Sequence, residues 1–470
     1  MAEQNRRRRK VSTKQDKTIE IFENAPVSKA VFINIIPSVV SMIMVLVYNL
    51  ADTFFIGQTK DPLKMAAVSL ATPAFLFFMA VGMLFGIGGT SLISRMLGQG
   101  RADDAKHTCS FCFWTGAAVG VTGMVVILAA IDPVCRLVGA TPATMGYVKE
   151  YLQIVAIGVP FLVIGNAFSN IIRAEGRANK AMMGMILGNV ANIILDPILI
   201  LGFGWNVAGA AIATVIGQVL SAGFYIAHYM MGRSTLSIRL RDYRAGGRIA
   251  SGVLAIGVPA SLNSILMSTS NILVNKLMTV HGDMAVAGLG VAMKVNMVAV
   301  MLLIGVGIGI QPLLGYNFGA GNRRRFMGVL RFSLILAAAL SLVMSVLCYL
   351  GAGPMVNAFL DSPNVYGFGM EFARTLIISG PVLGVLFVMI NTIQAMGAAV
   401  PSLILSVSRQ GLLYIPVLFA FHRIFGTASS LVLAQPVTDY LSTALSIVLF
   451  ILTYRRSFSR KGEAHDREQQ

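Results

Sequence analysis

Two carboxylates stand inside long apolar runs of this sequence, and oxygen-bearing side chains surround them. Asp52 lies in the stretch NLADTFFIG (49–57), which closes an apolar run that begins at residue 30, and Asp196 lies in GNVANIILDPILI (188–200). Asn192 precedes Asp196 by four residues, which is one helical turn on the same face. Thr214 falls eight residues into the next apolar run, which starts at residue 206. Carboxylate, amide and hydroxyl oxygens are hard ligands that suit a cation such as Na+. A pair of acids out of water is equally suited to a proton, because lost hydration and a neighbouring like charge both favour the neutral carboxyl. Pro197 adds one more oxygen, since a proline within a helix leaves the carbonyl four residues back, that of Ile193, without its amide donor.

The elements that position these groups are membrane spans. Of 470 residues, 56% are hydrophobic and 12% charged, where a soluble domain carries about 25% charged residues. Apolar stretches long enough to cross about 30 Å of hydrocarbon recur at 30–57, 65–97, 107–131, 146–173, 180–202, 206–231, 249–280, 284–318, 326–351, 368–396, 399–422 and 427–454. Proline and glycine punctuate them, which predicts bent helices lining a cavity. The net charge of +17 is gathered in short clusters between spans: Arg6 to Lys10, Arg233 to Arg248, Arg323 to Arg331 and Arg455 to Arg467. Such clusters are topogenic, and they exclude nucleic acid as a partner. They all fall on one side of the alternation, against scattered Lys60, Lys64, Arg136, Lys149, Lys276, Arg374 and Arg423 on the other. The bias places both termini in the cytoplasm of a multi-pass protein of the cell (inner) membrane. The polar first 20 residues carry no cleavable leader.

A repeat organises the spans. Gly86-Ile87-Gly88 recurs 221 residues later as Gly307-Ile308-Gly309, and Gly98, Gly100, Pro160 and Asn170 recur as Gly319, Gly321, Pro381 and Asn391; Pro37 and Asn49 match Pro259 and Asn271 at 222. Six spans per unit start both units on the same side, so an axis along the membrane normal relates them. The expected organisation is a cytosolic basic arm (1–29), an N-lobe (30–231), a cytosolic linker (232–248), a C-lobe (249–454) and a basic tail (455–470). Two such bundles flank a central cavity and rock about their interface, which makes alternating access the expected mechanism.

Charged side chains in the membrane mark function by default. Asp52 lies five residues from the outer end of its span and Asp196 six from the outer end of its own, so both sit about 8–9 Å below that boundary at 1.5 Å per residue. Arg409 and Asp439 are expected to neutralise each other. Lys294, near the outer third of the eighth span, is a candidate for lining the cavity, as is Met293 beside it among the 26 methionines of a repackable wall. Cys109, Cys112, Cys135 and Cys348 read as packing residues. No H-E-x-x-H or paired cysteine–histidine set is present, so no enzyme and no cofactor is expected.

Pro37, NLADTFFIG, AAVSLATP (66–73), GIGGTSLISRMLGQG (86–100) and GNVANIILDPILI together resemble the multidrug and toxic compound extrusion (MATE) family over residues 30–454, its bacterial DinF/MepA-like branch most of all. The resemblance implies an all-α fold of twelve transmembrane helices in two pseudo-symmetric six-helix bundles arranged as a V. It also implies export of cationic amphipathic drugs or dyes by antiport with Na+ or H+. The cation site of that branch falls here on Asp52, Asn192, Asp196 and Thr214, which would be the metal ligands if the ion is Na+. A cavity residue of the fourth span falls on Asn166, and Asn49 belongs to the same cavity pattern. Inward bending of the first span at Pro37 would accompany ion uptake. NorM-like members place acids in spans seven and ten, whereas this chain has no Asp or Glu in 249–276 or 372–396, so the first lobe should carry the coupling. The protein is expected to act as a monomer in the lipid bilayer. The alternative function is a lipid or glycan-lipid flippase of related fold, which would line its cavity with several cations.

Overall fold

A computed structural model describes residues 20–58, 62–232, 234–359 and 363–468. Most of the basic arm, Lys60 and Arg233 lie outside the described residues. The apolar runs form α1 (Val27–Gly57), α2 (Pro62–Gly98), α3 (Ala102–Ala129), α4 (Met145–Ala174), α5 (Ala178–Asp196), α6 (Asn206–Met230), α7 (Ile249–Met278), α8 (Asp283–Gly319) and α9 (Arg323–Leu350). They continue as α10 (Pro363–Ile377), α11 (Gly380–Ala395), α12 (Ala399–Val407), α13 (Tyr414–Phe425) and α14 (Ala428–Glu468). Among the described residues every regular element is helical.

Eleven spans are continuous, and α10 with α11 forms the twelfth, bent by 50°. The expected single span at 368–396 breaks just before Gly380-Pro381, where Pro381 has no amide to continue the ladder. α1 runs through Pro37 as one helix. α5 passes into a π turn, Pro197–Gly202, and a second π turn, Ser408–Leu412, joins α12 to α13. α14 outlasts its apolar part and carries the basic tail as helix to Glu468, in keeping with its helix-favouring Arg, Lys and Glu. Short helices at Ile131–Leu137 and Ala352–Phe359 start 221 residues apart and extend the repeat into the loops.

The repeated glycines explain how the halves meet. A side chain at Gly86 would strike Ala167 and Asn170 of α4, and one at Gly307 would strike Asn391 and Phe387 of α11, so the first glycine of each triplet packs within its own half. The second faces across: Gly88 lies against the Val253 carbonyl of α7, and Gly309 against Ile35 of α1. Gly98 meets the Tyr316 carbonyl and Gly319 meets the Arg95 carbonyl, bringing the ends of α2 and α8 together. Ser91 donates to the Gln394 carbonyl at 2.5 Å, and Ser261 to that of Ala80 at 2.8 Å. All of these contacts lie in the half of the bundle that carries the termini.

Packing units and sequence units differ at the junctions. The first turns of α1, through Ala30, Val31 and Ile35, belong to the core of the second half, together with Phe22. The first turns of α7, through Ile249 and Val253, belong to the core of the first half. Each lead-in segment is therefore held by the opposite half. Arg325 donates to the carbonyls of Ile21, Phe22 and Ala25 at 3.1, 2.7 and 2.7 Å. The linker before α7 is bound through Trp114 Nε1 to the Ile238 carbonyl (3.0 Å) and Ser110 to the Arg239 carbonyl (2.8 Å).

Candidate functional site

The acids converge because four helices of the first half meet near the end opposite the termini. Asp196 is the last residue of α5 before the π turn and is fully buried (0% exposed). Asn192, one turn earlier, is also buried, and its amide, oriented by its partners, donates to Asp196 Oδ2 at 2.9 Å and accepts from the Thr214 N–H at 3.1 Å. The Thr214 hydroxyl on α6 donates to the Ala210 carbonyl at 2.9 Å. Asp196 Oδ1 has no hydrogen-bond partner among the described residues, and a buried carboxylate oxygen without a donor is costly. Half-buried Asp52 of α1 is close enough to Asp196 for direct electrostatic interaction.

Two tyrosines complete the group, and the sequence reasoning missed both. Tyr48 of α1 stands near Thr214, and both acids act electrostatically on Tyr48 and on Tyr151 of α4. Tyr48 sits one turn before Asp52, which is a signal the sequence did offer. Tyr151 carried none, because a tyrosine near the start of a long span reads as an ordinary interfacial aromatic. The result is an oxygen-lined pocket with two carboxylates, an amide, a threonine hydroxyl and two phenols. Among the described residues no group of three His, Cys, Asp or Glu side chains could hold a metal. What the pocket offers is the weaker oxygen field suited to a monovalent cation, or a proton shared between acids.

The remaining candidates make other contacts. The Asn49 carbonyl accepts from Thr53 within α1 at 2.8 Å. Asn166 donates to the Leu162 carbonyl at 3.1 Å, and its Cβ lies against Gly82 of α2. Met293 packs on the outer core of the second half, while the neighbouring Lys294 is exposed on α8. Arg409 and Asp439 do pair, at 3.3 Å.

A further buried cluster lies at the end of α4, outside the spans. Glu175 accepts from Thr235 Oγ1 at 3.1 Å and the Leu236 N–H at 3.0 Å, and also from Ser234, while His228 Nε2 and Arg177 Nε stand at 3.8 and 3.9 Å. Burial pushes its carboxyl up, but the nearby His228 ring, the hydrogen bond from Ser234, the Arg177 charge and the Leu236 amide outweigh that and hold it below the usual range. It fastens the linker to the first half.

Comparison with known proteins agrees with this architecture. The chain is 29% identical over 444 residues to "Multidrug export protein MepA" of Staphylococcus aureus (strain MSSA476), covering 94% of this chain and 97% of that protein. A solved structure described as "Outward-facing conformation of a multidrug resistance MATE family transporter of the MOP superfamily" superposes with a TM-score of 0.88 at 25% identity, covering 95% of this chain and 99% of the other. "Crystal structure of MATE in the straight conformation" gives the same TM-score, identity and coverage. The MatE family profile matches residues 37–198 and 259–420, one stretch in each repeat and more than half of the chain, so the protein belongs to the multidrug and toxic compound extrusion (MATE) family of membrane transporters.

Proposed function

We propose that this transporter exports cationic amphipathic compounds across the cell membrane by antiport with Na+ or H+, and that the ion binds between Asp52 and Asp196 with Asn192 and Thr214 as partners. The observation that carries this reading is the buried, unpartnered Asp196 Oδ1 beside a second carboxylate. A cation there supplies the missing donor, and the pocket has no other use for two acids. With both termini in the cytoplasm, as the basic clusters favour, the glycine-mediated contacts close the cytoplasmic end.

Coupling then follows from charge. An empty acidic pocket attracts a cationic substrate, whereas an ion bound from outside neutralises it and favours its release. Ion and drug each stabilise a different state, so each weakens the other's binding by the same factor. Pro37 and the Pro197 π turn are the places where α1 and α5 can change shape without breaking a full ladder. A flippase cargo bearing phosphate would call for several cations lining the cavity, whereas the buried Arg409 is held against Asp439. The test is transport of ethidium by purified protein in vesicles under an imposed Na+ or pH gradient. One gradient should drive accumulation in the wild type and neither should in Asp52→Asn or Asp196→Asn; full transport by both variants would refute the assignment.

A further inference from the structure

A cavity of about 550 Å³ opens into the first half at the end opposite the termini. Its walls are Lys64 of α2, Tyr147 and Glu150 of α4, and Gly204, Asn206 and Val207 around the start of α6. Every residue that lines it belongs to the first half, so it offers a way in that does not pass between the halves.

Two features set it apart from an ordinary span end, where aromatic and charged side chains are common. Asn206 holds φ at 48°, the one positive value at a residue other than glycine among the described residues, and backbone of this kind gathers at functional sites. The second feature is what lies beneath. On α4, Tyr151 stands one turn below Tyr147, about 6 Å deeper at 1.5 Å per residue, and both acids act on it electrostatically. On α6, the face that lines the cavity at Val207 continues through Ala210 to Thr214, at spacings of three and four, a descent of about 10 Å. The Thr214 N–H donates to Asn192, the partner of Asp196. One phenol and small alanines thus floor the cavity above the acid pair. At its mouth the Lys64 ammonium lies 5.9 Å from the Tyr147 ring centre, and the exposed Glu150 carboxylate directly precedes Tyr151 in the chain. A mobile cation entering there is drawn by one charge and opposed by the other.

We infer that this cavity is the outer loading site of the coupling ion, which enters the first half here, is recruited by Glu150 and passes Tyr151 to reach Asp52 and Asp196. The inference rests on the reading of those two acids as the ion site. It gives ion and cargo separate outer doors. An ion arriving from outside can then neutralise the acids while cargo still fills the space between the halves, which is what ion-triggered release requires.

The test follows release of bound ethidium from the purified full-length protein in stopped flow, after a jump in Na+ concentration or in pH. Ala208 also lines the cavity and the four native cysteines are buried, so Ala208→Cys can be plugged selectively with benzyl methanethiosulfonate. Plugging should abolish most of the ion-triggered release by that variant, a methyl-sized reagent should do less, and a reductant should restore the rate. Glu150→Gln should slow release about twofold and Lys64→Gln should speed it by a similar factor, the effect of one charge about 10 Å away in water. Both shifts should fade as choline chloride is raised, because added salt screens them; a merely structural role would not give opposite signs or that salt dependence. Full ion-triggered release by the plugged protein, or shifts of equal sign in the two charge variants, overturns the loading site. A wild type whose ethidium affinity ignores both ions counts instead against the acid site itself, so the two failures are distinguishable.

Discussion

The two halves of this transporter share one backbone plan and carry opposite chemistry. The first half gathers two carboxylates, and among the described residues one of their oxygens, Asp196 Oδ1, lacks a donor. In the second half the buried carboxylate of Asp439 is already met by a guanidinium. Where helices approach through Gly188 and Gly217, the space left for polar groups is near the end opposite the termini, around Asp196. Where Arg409 replaces the glycine, the charge sits deeper, about 15 Å along α12 and its π turn. The lesson is that pseudo-symmetry fixes which helices surround a site and not what the site binds. An unbalanced pocket can answer to an ion gradient, whereas a balanced pair holds structure.

This contrast can be broken by exchanging charge for isosteric neutrality on each side. Asp196→Asn should have the largest effect, lowering ion-driven ethidium efflux on the order of 100-fold, as expected when a charged ligand worth about 3 kcal/mol is lost; the initial rate in vesicles measures it. The same variant should keep its melting temperature, because it relieves an unpartnered buried acid. Asp439→Asn should show the reverse pattern. It strands a buried guanidinium and should cost about 3 kcal/mol of stability, read as a lowered melting temperature, while Arg409→Gln/Asp439→Asn recovers most of it. If the second-half double variant lost ion coupling while Asp196→Asn kept it, the roles assigned to the halves would be exchanged.

Smaller effects sharpen the picture at the interface. Gly88→Val places a side chain against the Val253 carbonyl and Gly319→Val one against that of Arg95, at a cost of about 1–3 kcal/mol for overpacking. Both should disfavour closure at the end bearing the termini, and cross-linking yield between α2 and α8 would report it. Glu175→Gln should have the mildest effect. Because the Glu175 carboxyl is held below its ordinary value, its contribution is present above the unfolded carboxyl range and fades as pH falls through the folded value. The melting temperature of Glu175→Gln should therefore lie below that of the wild type at pH 7, with the gap narrowing at acidic pH; a gap that stayed constant would argue for a charge-independent role.

Much of this was legible in the sequence because membranes impose length and hydrophobicity on every span. The repeat, the matching depth of Asp52 and Asp196, and the placement of Asn192 and Thr214 all followed from spacing. The break before Gly380 was not foreseen, since Pro37 and Pro312 occupy similar apolar contexts without ending their helices. Tyr151 was invisible for a related reason: a phenol in an apolar run carries the same pattern as a core aromatic. The crossing of the lead-in segments, with Phe22 held by the second half and Leu236 by the first, depends on contacts between residues 61 to 303 positions apart. The Glu175 cluster escaped notice because its partners come from the linker, which reads only as a basic loop.

The most direct measurement is the affinity of ethidium for the purified transporter as a function of Na+ concentration and pH, in the wild type and in Asp52→Asn and Asp196→Asn. If one ion competes with the dye for the acidic pocket, raising that ion should weaken binding in the wild type and leave both variants flat. Persistence of the full ion dependence in the two variants would contradict the account.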